Sequence, residues 1–117
     1  MRESLENAMW SQKDWAKAES YYREIVRLYP NAKYNNMLGV ALYNQEKYDK
    51  AEPYLREAVD LDPNNPVMNC NLGDSLFEQK KYAAAERYYR KAVQLDPNNQ
   101  RNSEHLNRLL EAQRNQQ

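Results

Sequence analysis

Apolar residues along this chain return every three or four positions, the spacing of one face of an α-helix, rather than in the alternation of a strand. Leu38, Ala41 and Leu42 share such a face, and the spacing predicts a helix over Lys33–Gln45. The polar segment Gln45-Glu46-Lys47 turns the chain, and a second helix is expected from about Asp49 to Leu61. Asp49, with Glu52 three residues on, has capping-box character, although that motif prefers Ser or Thr at its first position. Pro53 is expected in the first turn, where amides lack an intrahelical partner and a missing donor costs little. Asp62-Pro63-Asn64-Asn65 ends the helix, and Pro66 opens the next one behind an Asn65 cap.

The pattern then repeats. Residues 32–65 and 66–99 align without a gap, with about half their positions identical. Leu38-Gly39 returns as Leu72-Gly73, Tyr48 as Tyr82, Ala51-Glu52 as Ala85-Glu86, and Leu61-Asp62-Pro63-Asn64-Asn65 returns whole as Leu95-Asp96-Pro97-Asn98-Asn99. An eroded earlier copy places Trp15, Ala18-Glu19, Tyr21-Tyr22 and Pro30 at the Tyr48, Ala51-Glu52, Tyr54-Leu55 and Pro63 positions, with Glu6 at the Gly position. A period of roughly 34 residues means stacked supersecondary units that bury apolar faces only against their neighbours. The expected organisation is one domain: repeat 1 over 1–31, repeat 2 over 32–65, repeat 3 over 66–99 and a capping helix in 100–117.

Mid-helix glycine costs on the order of 1 kcal/mol relative to alanine. Gly39 and Gly73 at one place in two units therefore predict close helix–helix approach, with Ala51, Ala58, Ala85 and Ala92 doing the same on the second helices. Tyr48 and Tyr82 are expected to fill space between layers. The last helix, about Asn102 to Arg114, carries Leu106, Leu109 and Leu110 on one face and polar residues elsewhere, as an end cap should.

Composition narrows the function. Seventeen basic and seventeen acidic side chains leave no net charge, which removes the basic face that nucleic acid or an anionic membrane surface needs. No apolar run approaches the ~20 residues of a membrane span, the first ten residues hold no signal-peptide core, and a cytoplasmic location is expected. Cys70 and His105 are the only residues of their kinds. With no base and orienting acid in view Cys70 reads as a small packing residue rather than a nucleophile, and His105 could approach it only if the last helix packs as a continuing repeat. No phosphate loop or metal-ligand cluster is visible in the sequence, so no cofactor, no metal and no catalysis are expected.

The spacing resembles the tetratricopeptide repeat: Leu38-Gly39, Leu42-Tyr43, Tyr48, Ala51, Leu55, Ala58 and Pro63 fit, as do Leu72-Gly73, Leu76-Phe77, Tyr82, Ala85, Tyr89, Ala92 and Pro97. The chain departs from it at Asn35 and Asn69, where Trp or Leu is usual. The resemblance implies an all-α fold, a right-handed α-solenoid of antiparallel helix pairs whose first helices line a concave groove, and a role as a protein-interaction scaffold. Carried onto this chain, the groove positions are Asn7, Trp10, Lys33, Asn36, Val40, Tyr43, Asn71, Asp74, Phe77, Arg101, His105 and Arg108. Glu3, Ser11, Asn44, Val67, Cys70, Glu78 and Glu104 lie on the same face. Trp10, Tyr43 and Phe77 occupy one equivalent position, either as anchors for a bound peptide beside Asn36 and Asn71 or as packing between helices.

Chaperone-binding members hold a C-terminal carboxylate with a clamp of Lys, Asn, Asn, Lys and Arg. Here Glu3, Asn7, Met37, Val67 and Asn71 stand at those positions and only Asn7 fits, which argues against that route. Shifted one unit along, Asn71, Arg101 and His105 fit in part, as a weak anion site or simply a cationic, solvated helix end. Three functions stay open: an adaptor binding a protein or peptide in the groove, a self-assembly module using Leu5, Trp10 and Trp15, and an engineered repeat scaffold without a natural ligand. Pro53, Cys70, Glu6 and the shortened first junction count against an idealised design.

Overall fold

The computed structural model describes residues 7, 8 and 10–116. Residues 7, 8 and 10–12 are helical. Six helices follow: α1 (Trp15–Leu28), α2 (Ala32–Tyr43), α3 (Tyr48–Leu61), α4 (Pro66–Glu78), α5 (Tyr82–Leu95) and α6 (Gln100–Asn115). The helices form antiparallel pairs stacked into a right-handed α-solenoid. Each packs on the next in the chain, and α2, α4 and α6 also touch one another in succession. The stack is elongated, 48 × 25 × 23 Å.

Three asparagines start the new pairs. The side-chain oxygens of Asn31, Asn65 and Asn99 accept from the amides of Tyr34, Met68 and Asn102 at 2.9, 3.1 and 3.3 Å, satisfying donors that a helix start leaves orphaned. The buried Asn35 and Asn69, where the repeat pattern prefers a large apolar residue, bind back to the turn. Asn35 donates to the Asn31 carbonyl at 2.9 Å, and Asn69 to the Asn65 and Pro63 carbonyls at 2.9 and 3.0 Å.

The second helices start earlier than their local signal indicates. Helix α3 begins at Tyr48 behind Lys47, which makes no side-chain cap bond. Asp49 accepts only from the adjacent Lys50 amide, so there is no capping box. The turn uses a left-handed residue instead: Glu46 and Lys80 both have φ 62°, and the amides of Lys47 and Lys81 reach back to the Leu42 and Leu76 carbonyls at 3.0 and 2.9 Å. This closes the preceding helix in the manner of a helix C-terminal motif. Pro53 consequently lies in the second turn, where its missing donor leaves the Asp49 carbonyl without its helical bond.

Glu52, freed from capping, joins two repeats. Its carboxylate takes Arg56 from its own helix at 2.9 Å, and Gln79 and Lys81 from the next turn, both at 3.0 Å. Glu19 does the same with Arg23, Gln45 and Lys47 at 2.9, 2.8 and 3.2 Å. Arg23 and Arg56 each also donate to the tyrosine of the next unit, Tyr54 and Tyr88, at 3.1 Å. The bond from Arg23, helped by Gln45 and Lys47, holds Glu19 down at about 2. Burial pushes Glu52 up, but Arg56, Lys81 and Gln79 outweigh it and hold it at about 2 as well.

The core is a thin seam of Leu38, Ala41, Leu42, Ala51, Leu55, Ala58, Leu72, Leu76, Ala85, Tyr89, Ala92 and Leu109, all buried. The two glycines sit where the seam is tightest. A Cβ on Gly39 would stand 2.4 Å from Leu55 Cδ2, and one on Gly73 2.7 Å from two Tyr89 ring carbons.

Candidate binding groove

Helices α2, α4 and α6 share one face of the solenoid, and their side chains meet there in two layers 34 residues apart. In the first layer, Asn71 Nδ2 donates to Asn36 Oδ1 at 3.0 Å. The expected backbone-binding asparagines are thus already bonded to each other. A cleft of about 120 Å³ opens beside them, lined by Val40, Tyr43, Asn44, Asn71, Asp74 and Arg101. Five of the residues named as groove positions therefore converge from three alternate helices, α2, α4 and α6. Tyr43 is half-buried, and burial with the nearby Asp74 charge raises its phenol well above the usual tyrosine range, so it is present as a donor.

The aromatic positions resolve toward packing. Trp10, Tyr43 and Phe77 each lie against the first residue of the following helix, Trp15, Tyr48 and Tyr82, with ring centroids 4.9, 5.0 and 5.6 Å apart. All three remain part-exposed, and Tyr43 also lines the cleft. The Arg108 guanidinium lies 5.0 Å over Phe77, and Lys33 lies 5.5 Å over Tyr34. Asn7 is exposed on the first helical stretch. Glu3, Leu5 and Glu6 lie outside the described residues, which leaves Trp10 and Trp15 as the described members of the self-assembly face. Trp10 packs on Trp15 and Tyr22, with centroids 4.9 and 6.1 Å away, and stays part-exposed.

The second layer holds what the sequence concealed. Helix α6 packs as a continuing first helix and brings His105 over α4. His105 Nδ1 lies 2.7 Å from Asp74 Oδ1 and 3.6 Å from Cys70 Sγ, and the Tyr89 hydroxyl donates to the same Asp74 oxygen at 2.5 Å. Cys70, Asp74 and His105 thereby form a group whose ligating atoms all lie within 4.8 Å of one another. This corrects the expectation that the chain holds no metal-ligand cluster; the three residues come from two helices, so no short ligand motif along one element points to them. His105, named as a groove position, has its Nδ1 turned inward to Asp74. Burial, then the Asp74 charge, pushes the Cys70 thiol up to about 12. A nitrogen this close to a carboxylate carries a hydrogen, and the same nitrogen faces the sulfur. A base that activates a thiol instead gives one ring nitrogen to the thiol and the other to its orienting acid. The arrangement creates no activated nucleophile.

No helix among the described residues is long and apolar enough to cross a membrane. No curated protein matches the chain in sequence. Many solved structures match in fold. A tetratricopeptide-repeat domain of Arabidopsis OM64 is 28% identical, with a TM-score of 0.83 over 88% of this chain and 86% of that one. The first such domain of human RPAP3 is 22% identical, with a TM-score of 0.87 over 93% and 87%. The first repeat domain of Spaghetti (RPAP3), bound to the HSP90 peptide SRMEEVD, is 22% identical, with a TM-score of 0.86 over 91% and 85%. The tetratricopeptide-repeat family profile matches residues 7–66 and again 36–100, and with the period, the paired helices and the buried small residues it shows that the chain belongs to the tetratricopeptide-repeat family.

Proposed function

We propose that this chain is a non-catalytic scaffold that holds a segment of a partner protein in the groove lined by α2, α4 and α6. The observation that carries the reading is the cleft where Val40, Tyr43, Asn71, Asp74 and Arg101 converge. It offers an apolar wall, a phenol donor, an amide and an exposed guanidinium within one small volume. Such a site suits a peptide with an apolar side chain against Val40 and Tyr43 and a carboxylate toward Arg101. A fold neighbour that carries a bound peptide supports the class of ligand. The chaperone clamp is not reproduced, so the peptide is expected to differ from a chaperone tail. The inward-turned thiol, without an activating base, supports the non-catalytic part of the reading.

The test is selection of peptides from a random displayed library on the full chain, followed by affinity measurements on groove and outer-face variants. Val40→Glu and Arg101→Glu should each weaken the selected peptides by at least about tenfold. Arg87→Glu and Lys91→Glu, on the opposite side between α3 and α5, should leave them within about twofold. Loss of binding on the outer-face variants with groove variants unaffected would sink the proposal.

A further inference from the structure

We propose that Cys70, Asp74 and His105 form a three-ligand site for a divalent ion of the zinc class, built between the third repeat and the capping helix. The three supply sulfur, oxygen and imidazole nitrogen, the donor set zinc takes in four-coordinate sites. They converge from α4 and α6, with Cys70 and Asp74 four residues apart on one helix face and His105 opposite.

The Cys70–His105 separation already matches what the ion requires, while Cys70 and Asp74, within 4.8 Å of each other, must come to about 3.6 Å. Bonds of about 2.3 Å to sulfur and about 2.0–2.1 Å to nitrogen, at a tetrahedral angle, place those atoms about 3.6 Å apart, and the Cys70 Sγ to His105 Nδ1 distance is 3.6 Å. Oxygen and nitrogen ligands stand about 3.3 Å apart on such an ion, against 2.7 Å here. His105 and Asp74 must therefore open by about half an ångström as their hydrogen bond gives way to two metal bonds. Tyr89 stays in place as the outer partner that orients the Asp74 carboxylate, a role that ligating carboxylates generally need filled.

The charges balance as well. A thiolate and a carboxylate neutralise a dication, and imidazole remains neutral, so a buried site acquires no net charge. Binding the ion expels the thiol proton to solvent, and the imidazole proton moves from Nδ1 to Nε2, so one proton leaves per ion bound. The Arg101 and Arg108 charges, which act on Cys70, oppose the dication and favour the thiolate. The layer one repeat earlier shows that this cluster is not required by the fold. There Asn36, Val40 and Asn71 fill the places of Cys70, Asp74 and His105, and Leu55 fills that of Tyr89, in the same backbone.

The test is titration of the reduced, metal-free full chain with Co²⁺, followed by displacement with Zn²⁺. Expected are one equivalent of binding, a sulfur-to-cobalt charge-transfer band, the intense visible bands of a four-coordinate ion, and a rise in thermal midpoint with Zn²⁺. Cys70→Ser should abolish the charge-transfer band and weaken affinity at least about tenfold. The quadruple variant C70N/D74V/Y89L/H105N copies the preceding layer, which this backbone already accommodates, and should fold yet bind no cobalt at the site. Six-coordinate cobalt spectra, a charge-transfer band that survives in C70S, or equal affinity in the quadruple variant would each overturn the proposal.

Discussion

Two places in this solenoid share one backbone and differ in chemistry. Where the second repeat meets the third, Gly39 faces Leu55, Val40 stands beside it, and Asn36 pairs with Asn71. Where α4 meets α6, the same positions hold Gly73, Tyr89, Asp74, Cys70 and His105. The first layer is held by apolar contact and one amide pair. The second has a buried carboxylate whose single oxygen takes both a phenol and an imidazole. Repetition therefore sets the spacing of helices, while four substitutions decide whether a layer is passive or reactive toward ions.

The largest expected difference between the layers is at the glycines. Gly73→Ala drives a methyl into a tyrosine ring whose hydroxyl is anchored on Asp74, so the ring cannot swing away. It should cost about 2–3 kcal/mol by overpacking. The methyl of Gly39→Ala would stand 2.4 and 2.5 Å from Leu55 Cδ2 and its branch-point Cγ. The buried side chain must move as a whole, but no hydrogen bond anchors it and some helix propensity is recovered, so the cost should be smaller, about 1–2 kcal/mol. Urea unfolding of both variants measures this. Equal losses would mean that the two layers are mechanically alike.

A double-mutant cycle across Asp74 and Tyr89 sharpens the comparison. Asp74→Val takes the acceptor from the buried Tyr89 hydroxyl and the part-buried His105 Nδ1, and Tyr89→Leu leaves a space where the ring was. Each single change should cost about 2 kcal/mol. Together they recreate the Val40–Leu55 pair of the preceding layer, so the double variant should recover about 1–2 kcal/mol of the summed loss. Measured by denaturant unfolding in chelator-treated buffer, simple additivity would show that the polar pair does not act as a unit.

Much of this was legible beforehand, and the misses have physical causes. The period, the glycines and the buried alanines follow from apolar spacing, because packing against an identical neighbour repeats its own requirements, while the face shared by α2, α4 and α6 came with the resemblance to the tetratricopeptide repeat. The Asp49–Glu52 signature misled because it is local, whereas Glu52 is claimed by Gln79 and Lys81 from the next unit. A usable signal existed in Gln45, Gln79 and Gln113, each 34 residues from the last. The Cys70–Asp74–His105 group was hidden for the opposite reason: it occurs once, so no repetition advertises it. It would have emerged from asking what stands 34 residues beyond Asn36, Val40 and Asn71.

The smallest difference concerns the carboxylates that tie one layer to the next on the outer edge. Glu52 is bound by Arg56, Gln79 and Lys81, while its counterpart Glu86 is lowered by Arg90 and Gln113. Asn115 stands where Lys47 and Lys81 stand in the earlier turns, so no lysine completes the last clip. A carboxylate held at about 2 rather than its ordinary 4.5 stabilises the folded chain once it is ionised in both states. That contribution is fully present above about 4.5 and is lost as pH falls toward 2, since the unfolded chain then binds the proton first. After screening by solvent around the exposed cations, Glu52→Gln should remove on the order of 1–2 kcal/mol at pH 7. The loss should shrink progressively when unfolding is measured from pH 5 down to pH 2. Glu86→Gln should cost less than about 0.5 kcal/mol. If the two variants lose equally at pH 7, the inter-repeat lysine contributes nothing and the earlier junctions owe their hold to packing alone.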